Sequence, residues 1–185
     1  MKALGISGSL RRDSHNTKLL RAAAAMLPPG AELELWEGLK AVPPYDGDDD
    51  TGEPRAWILQ SLDAAIREAD VVLFATPEYN HSIPGQLKNA LDWLSRPLKT
   101  SPLRNKPVAV VGASTGLFGA VWAQAELRKV LGAIGARVVD RELPVGLADD
   151  AFTDQGRLAD TDLELMLADL LAELLAEVDQ VQVPA

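Results

Sequence analysis

Hydrogen-bond donors are concentrated in residues 8–17, which read G-S-L-R-R-D-S-H-N-T and come between a short apolar run and an alanine-rich segment with helical periodicity. The start of a helix offers free backbone N–H groups and a partial positive charge, and both favour phosphate. Capping needs only one side chain, and Arg11 has no capping role. The sequence therefore predicts a phosphate-binding loop. The candidate cofactor ligands in this loop are Ser9, Arg11, Ser14, His15, Asn16 and Thr17.

The glycine spacing narrows the kind of phosphate. Gly8 does not begin a Walker A pattern, G-x-x-x-x-G-K-[ST]. Gly5 and Gly8 also lack the G-x-G-x-x-G spacing that lets a backbone approach a dinucleotide pyrophosphate. A loop that contacts phosphate mainly through side chains favours a terminal monophosphate, as in a mononucleotide.

A second chemically rich stretch, residues 76–85, reads T-P-E-Y-N-H-S-I-P-G. Its two prolines stiffen a loop whose backbone could border a flat heterocycle. The candidate ligands here are Pro77, Glu78, Tyr79 and Asn80, with His81 beside them. The same residues would also make a rigid strand–helix connection, with Ser82 as the N-cap and Pro84 in the first turn.

A third stretch, residues 112–119, reads G-A-S-T-G-L-F-G and is built of small residues that allow another group close to the backbone. The candidate ligands are Ser114, Thr115 and Gly116. Gly116 and Gly119 would equally suit a tight turn. The helix that follows is expected to direct its positive end at the ligand and to stabilise an anionic ring.

Apolar runs alternate with helical patterns along the chain, which predicts an α/β fold with a parallel sheet covered on both faces. Strands are predicted at 3–7, 32–36, 71–75, 107–112 and 137–139, and helices at 17–27, from Pro54 onward, at 82–96, 118–132 and 158–178. This pattern suits a flavodoxin-like, three-layer, doubly wound fold with a five-stranded sheet in the order 2-1-3-4-5. Ligands of such sheets bind beyond the carboxyl ends of strands 1, 3 and 4, where the three loops described above should meet.

Composition limits the class of protein. The chain has 185 residues, 47% of them hydrophobic, and no apolar run long enough to cross a bilayer, so we expect a single domain over residues 1–185 and no membrane partner. It has no cysteine and no signal-peptide pattern, which fits a cytoplasmic protein. The net charge of −9 argues against nucleic acid as a partner, and we interpret the acidic residues 149–179 as a solvated helix face.

Other chemistries fit less well. His15 and His81 lie in different loops without metal-ligand spacing, so no metal site is predicted. Residues 5–9, G-I-S-G-S, do not form a nucleophile elbow. The predicted third strand ends in Thr76-Pro77, without the phospho-acceptor aspartate of a response regulator. The four tryptophans (Trp36, Trp57, Trp93 and Trp122) lie in periodic segments, which favours core or interface positions over ring stacking.

Three blocks of this sequence resemble the NADPH-dependent FMN reductase family, on its chromate, quinone and azo reductase side. They are G-S-L-R-R-D-S-H-N at 8–16, P-E-Y-N-H-S-I-P-G-Q-L-K-N-A-L-D-W at 77–93 and S-T-G at 114–116. The resemblance implies a flavodoxin-like fold, bound FMN and homodimers or homotetramers. By position, Ser9, Arg11, Ser14 and Asn16 would hold the FMN phosphate, residues 77–80 would line the isoalloxazine ring, and Ser114 and its neighbours would close the other side. His81 stands where an aromatic residue such as Tyr is frequent, and we assign His81 and Phe118 to the substrate pocket.

The predicted function is an FMN-dependent oxidoreductase. NAD(P)H would reduce bound FMN, which would then transfer two electrons to a small-molecule acceptor: a quinone, an azo compound, a chromate-type acceptor or free flavin. No catalytic side chain is predicted, because the cofactor carries the chemistry. The alternatives are a flavodoxin-type electron carrier, for which the T-x-T-G-x-T loop and the sandwiching aromatics are missing, and a regulatory module without flavin. In the oligomer, the helix of Leu87–Leu94 with Trp93 is a candidate interface.

Overall fold

The computed structural model describes residues 1–50 and 55–178, which form six strands and five α-helices. The strands are β1 (Lys2–Ser7), β2 (Glu32–Trp36), β3 (Val71–Thr76), β4 (Pro107–Ala113), β5 (Arg137–Val138) and β6 (Pro144–Val145). The helices are α1 (His15–Ala25), α2 (Trp57–Glu68), α3 (Gly85–Leu94), α4 (Val121–Ile134) and α5 (Thr161–Ala176). None of the described helices is both long enough and apolar enough to span a membrane.

The strands pair in parallel in the order β2-β1-β3-β4-β5, which confirms the predicted flavodoxin-like topology. The last position of the sheet differs from the prediction. β5 pairs with the start of β4, and β6 pairs with its end, where Gly112 is opposite Pro144. The sequence pattern misses β6 because the charged, exposed residues Asp140, Arg141 and Glu142 interrupt the apolar run between the two segments.

The sheet carries a hydrophobic core on each face. The core on one face includes apolar residues of α2, α3 and α4, and the core on the other includes residues of α1 and α5. Residues of β3 alternate between them: Val72 and Phe74 face the first core, whereas Val71 and Leu73 face the second. This burial of every β3 residue explains why the strand reads as an uninterrupted apolar run.

Three helices begin later than the sequence predicts. α3 begins at Gly85 rather than at residue 82, because residues 79–82 form a tight turn, and α4 begins at Val121 rather than at residue 118. α5 begins at Thr161, where the Asp160 carboxylate accepts hydrogen bonds from two backbone N–H groups. The predicted helix start at Pro54 lies outside the described residues.

The predicted interface on α3 is wrong. Leu87, Leu91, Trp93 and Leu94 are each no more than 4% exposed and belong to the core of the chain itself. The indole Nε1 of Trp93 donates to the Pro43 carbonyl. Apolar surface that is open to a partner lies elsewhere.

Candidate active site

The three predicted loops meet at the carboxyl edge of the sheet and line an open cavity of about 100 Å³, here called the junction cavity. The cavity collects most of the predicted site residues from all three loops. Its lining consists of Ser9, Arg11, Ser14, His15, Asn16, Pro77, Glu78, Tyr79, Ala113, Ser114 and Thr115. The other five predicted residues, Thr17, Asn80, His81, Gly116 and Phe118, do not line it.

Ser14 caps α1. Its Oγ accepts hydrogen bonds from the backbone N–H groups of Asn16 and Thr17, at 3.2 and 3.4 Å. Ser9 makes a similar local bond, since its Oγ accepts from the Arg11 backbone N–H at 3.3 Å. As acceptors, both hydroxyls keep their own proton available to donate. Capping and anion binding are therefore compatible in this loop.

Asn16 has a different role from the one that its sequence position predicts. The side chain is 2% exposed; its Nδ2 donates to the Ala113 carbonyl at 2.9 Å and its Oδ1 accepts from the Ala113 N–H at 3.0 Å. The amide thus pairs with the last residue of β4 much as a neighbouring strand would. The Asn16 side chain therefore joins the first loop to the third. The Thr17 hydroxyl does not contribute to this contact, because it donates to the Ser7 Oγ at 3.1 Å.

His15 is held by a segment that the sequence does not connect with this site. Its Nε2 lies 3.1 Å from Oδ1 of Asp149, and its ring stacks on Phe152 with the ring planes 7° apart. Its Nδ1 is buried and has no hydrogen-bond partner among the described residues. A buried ring nitrogen without a partner is costly in an isolated protein, so a water molecule or a ligand is expected at this atom.

The second loop contains a two-residue hairpin. Tyr79 and Ser82 exchange both backbone hydrogen bonds, and the two residues between them, Asn80 and His81, have φ angles of 54° and 61°. Left-handed conformations at both central positions are typical of a type I′ turn, which Asn tolerates better than His. Ser82 is therefore not the helix cap that the sequence predicts, and its hydroxyl donates to Glu126 at 2.5 Å.

Glu78 occupies the start of α4. Its Oε2 accepts from the Ala123 backbone N–H at 3.0 Å, and its Oε1 lies 3.6 Å from Nδ1 of His81. A carboxylate at this place offsets the positive end of the helix. The Glu78 carboxylate thereby weakens the expected stabilisation of an anionic ring by α4. The sequence pattern gives no sign that Glu78 would turn towards the helix.

The third loop approaches the chain around β6 so closely that only glycine fits at Gly119. This residue has φ +58°, and a Cβ atom added to it would overlap the backbone of Pro144. The Leu147 N–H donates to the Gly116 carbonyl at 3.1 Å, and the Ser114 N–H donates to Val145. The tight-turn interpretation therefore holds for Gly119.

An exposed apolar surface adjoins the junction cavity. His81 and Phe118 both make edge-to-face contacts with Trp122, at centroid distances of 4.7 and 5.2 Å. Phe118 is 60% exposed, and Leu117 and Leu147 are more than half exposed. We call this surface, formed by Tyr79, His81, Leu117, Phe118, Trp122 and Leu147, the aromatic rim.

The K-N-A-L-D-W block at 88–93 supports the site from behind. The Asn89 side chain donates to the Pro43 carbonyl and accepts from the Tyr45 N–H, and Tyr45 packs edge-to-face on Trp93. These residues fix the loop after β2. Their side chains do not line the junction cavity, so this part of the block at 77–93 has a structural role.

Asp13, in the first loop, and Lys18, directly after it, form a charged pair that does not line the junction cavity. The Lys18 ammonium, which hydrogen-bonds to Asp13, holds the pKa of that carboxyl below its usual value.

No group of His, Asp and Glu side chains within the described ranges has the geometry to hold a metal ion.

Fold and site together define a flavodoxin-like α/β protein with a crevice at the carboxyl edge of its sheet, where the three loops meet. A sequence model of the NADPH-dependent FMN reductase family matches residues 1–150. The chain therefore belongs to the NADPH-dependent FMN reductase family, a family of oxidoreductases, which confirms the resemblance seen in the sequence.

Known proteins agree with this assignment. The chain is 44% identical over 162 residues to an NAD(P)H-dependent FMN reductase of Pseudomonas aeruginosa, covering 86% of this chain and 85% of that one. It is 37% identical over 141 residues to a quinone reductase of Escherichia coli strain K12, covering 76% and 74%. Among solved structures it is similar to FerB, a flavoenzyme NAD(P)H:(acceptor) oxidoreductase from Paracoccus denitrificans, with a TM-score of 0.83, 30% identity and 97% of both chains covered.

Proposed function

We propose that this protein binds FMN at the junction cavity and uses NAD(P)H to reduce quinone-type acceptors. The observation that carries the proposal is the convergence of residues from three separate loops on one cavity at the carboxyl edge of the sheet. The volume of about 100 Å³ suits a phosphate group, and the rest of FMN would extend out of the cavity.

The donor set of the first loop fits the phosphate of FMN. The Ser9 and Ser14 hydroxyls line the cavity with protons to donate, and the exposed Arg11 guanidinium has no carboxylate within 4 Å among the described residues. His15 is not counted among these donors: its Nε2 donates to the Asp149 carboxylate, so the Nδ1 of the neutral ring is an acceptor. Charged and neutral donors around an anion bind it strongly, whereas the same groups have little to bind if the site takes no ligand.

The second and third loops would hold the flavin ring. Residues 77–80 and 114–116 are the candidates, and their part is to bind the ring, fix its orientation and limit the water around it. FMN, when bound, supplies the redox chemistry by taking a hydride from NAD(P)H and passing two electrons on. The protein therefore needs no nucleophilic side chain, which fits a chain without cysteine.

The aromatic rim supports a flat, apolar acceptor. Phe118 and Trp122 are 60% and 43% exposed, and His81 packs on Trp122. Such a surface suits a quinone better than a compact oxyanion such as chromate. Azo compounds and free flavin are also flat, so their rates of reduction should be compared with those of quinones.

The same rim supports self-association. Exposed aromatic side chains beside a cavity are typical of interfaces, and we propose that a second copy of the chain covers part of the rim in a homodimer or homotetramer.

We place the protein in the cytoplasm as part of the same proposal, since a cytoplasmic location supplies both NAD(P)H and reducible quinones.

The visible spectrum of the purified protein tests the proposal. We expect the absorption of bound flavin, its loss on anaerobic addition of NADPH, and its return when a benzoquinone is added. A large and stable semiquinone during reductive titration would favour an electron carrier instead. A colourless protein that does not take up added FMN would contradict the proposed function.

A further inference from the structure

The reduction of a quinone needs one proton more than the electron donor supplies. A quinone becomes a hydroquinone when it takes up a hydride, which carries two electrons and one proton, and one further proton. NAD(P)H provides the hydride by way of FMN, so the further proton comes from water or from a side chain beside the quinone. An acidic side chain that is held at the right place accelerates such a transfer.

The aromatic rim contains two residues with an ionisable side chain, Tyr79 and His81. An imidazole changes its charge near neutral pH, whereas a phenol does so only in alkaline solution. The His81 side chain is 74% exposed, so water can restore its proton after each transfer. His81 is therefore the rim residue that is best suited to protonate an acceptor.

Two neighbouring side chains, Glu78 and Trp122, determine where the His81 ring lies. Oε1 of Glu78 is 3.6 Å from Nδ1 of His81, and the Glu78 side chain is only 13% exposed. Oε2 of the same carboxylate accepts from the Ala123 N–H at 3.0 Å, so α4 fixes its position. The Trp122 ring meets the imidazole edge-to-face at 4.7 Å. A carboxylate at this distance attracts an imidazolium and favours a proton on Nδ1, which leaves Nε2 as the nitrogen available to an acceptor.

The backbone of His81 adopts a conformation that histidine rarely takes. Its φ is 61°, at the second central position of the two-residue hairpin between Tyr79 and Ser82. Glycine or asparagine would adopt the same conformation at lower cost. An imidazole is thus held at this position against the local preference of the backbone, and residues held in this way are concentrated at functional sites.

We propose that His81 is a catalytic residue that donates the further proton to the quinone. The Nε2–H bond of the imidazolium breaks, an O–H bond forms on the quinone oxygen, and the neutral imidazole then takes a proton from water. Glu78 is a positioning residue, because it acts through His81. The inference rests on the proposed function and adds to it a catalytic side chain, which the sequence pattern does not predict.

Two electron acceptors that differ in their need for a proton test the proposal. His81→Gly removes the imidazole and suits the left-handed backbone, so the fold should persist, and His81→Asn should behave alike. After anaerobic reduction of the FMN-loaded protein with NADPH, reoxidation by a benzoquinone should be at least about tenfold slower in either variant, as expected for the loss of a general acid. Reoxidation by ferricyanide, which takes up electrons and no proton, should keep its rate. Imidazole added to the solution should restore the benzoquinone rate of His81→Gly.

The matched control is Asn105→Gly. Asn105 is exposed, has a similar φ of 59°, and belongs neither to the junction cavity nor to the aromatic rim. The same kind of backbone position is thereby changed to glycine away from the site. Reoxidation by both acceptors should match the wild type.

A binding measurement without turnover gives a second readout. 4-Nitrophenol carries an oxygen like that of a reduced quinone, and its phenolate absorbs visible light. An imidazolium beside this oxygen stabilises the phenolate, so difference spectra of the oxidised, FMN-loaded protein should show bound phenolate at a lower pH in the wild type than in His81→Gly. Phenolate that forms at the same pH in both proteins would contradict the proposed contact.

The outcomes separate this inference from the proposed function. Equal slowing with benzoquinone and ferricyanide would overturn the inference, because it would indicate an altered site rather than a missing proton donor. An unchanged benzoquinone rate in His81→Gly would overturn it as well, as would a slow rate that imidazole does not restore. In each of these cases, flavin that stays bound and is bleached by NADPH would leave the proposed function standing.

Discussion

The two walls of the junction cavity are held in different ways. The first loop is fixed by side chains: Ser14 caps α1, and Asn16 pairs with both backbone groups of Ala113. The opposite wall, made by the second and third loops, depends on backbone conformations that few residues adopt. Four of the five non-glycine residues with positive φ in the described ranges lie in or beside these loops, outside the lining of the cavity itself: Asn80 and His81 in the second loop, Ala120 directly after the third, and Leu147, whose N–H donates to Gly116.

This difference assigns a task to each wall. We assign the cofactor phosphate of the proposed function to the first wall, where the Ser14 and Asn16 side chains are buried and locally fixed. Left-handed backbone and exposed aromatics, by contrast, present a strained and accessible surface, which is common where proteins meet substrates or partners. The comparison predicts that substitutions on the first wall change cofactor binding, whereas substitutions on the second change stability and access.

The largest effect should come from Gly119 on the second wall. Gly119→Ala places a Cβ against the Pro144 backbone at a φ of +58°, and we expect a loss of about 3 kcal/mol or more in the free energy of unfolding. Urea denaturation measures it. Gly116→Ala is the matched control, since its Cβ would meet only the Ser114 Oγ, at 3.5 Å, and should cost little. Equal losses in both variants would show that the close approach of Gly119 to β6 does not determine the loss of stability.

Asn16 joins the two walls, and its replacement should have the next largest effect. Asn16→Ala leaves both backbone groups of Ala113 without their partner in a buried position, which should cost about 2–3 kcal/mol. The affinity for FMN should fall as well, because the walls separate. Gln86→Ala removes two side-chain hydrogen bonds away from the junction cavity and should lower stability without changing FMN affinity. FMN affinity that changes alike in the two variants would argue against the joining role.

Ser14 tests whether a cap also serves as a ligand. Ser14→Ala removes the N-cap of α1, at a cost of about 1 kcal/mol, and also removes a hydroxyl from the junction cavity. We expect weaker binding of FMN but unchanged binding of riboflavin, which lacks the phosphate, as measured by fluorescence quenching. Asp160→Ala is the control, because it removes the cap of α5, and Asp160 does not line the junction cavity. If Ser14→Ala weakens FMN and riboflavin equally, Ser14 acts only through the helix.

Glu78 should give the smallest effect. Glu78→Gln keeps an acceptor for the Ala123 N–H but removes the negative charge from the start of α4, which should lower stability by about 0.3–1 kcal/mol. The loss should shrink as salt is added, because the interaction is electrostatic. Thermal unfolding at low and high ionic strength measures it, with Asp154→Asn, an exposed carboxylate outside the described helices, as the control. A loss independent of salt would indicate packing rather than charge.

Sequence reasoning predicts the sheet order and the meeting of the three loops, because apolar patterning and the topology of parallel sheets determine both. It does not predict the partners of individual side chains. Asn16 looks like a free donor in the sequence but is committed to Ala113, and Glu78 turns to α4. Asp149 and Phe152, which hold His15, lie more than 130 residues along the chain, in a segment that shows only an acidic composition. Such contacts depend on tertiary packing, for which local patterns carry no signal.

The central claim is that the first wall of the junction cavity binds the phosphate of FMN. It is tested most directly by titrating the flavin-free protein with FMN and with riboflavin, in the wild type and in the Arg11→Ala, Ser14→Ala double variant. We predict that the wild type binds FMN about 100-fold more tightly than riboflavin, in keeping with several charge-assisted hydrogen bonds, and that the double variant loses most of this difference. Equal affinities for the two flavins in the wild type, or a difference that the double variant retains in full, would contradict the claim.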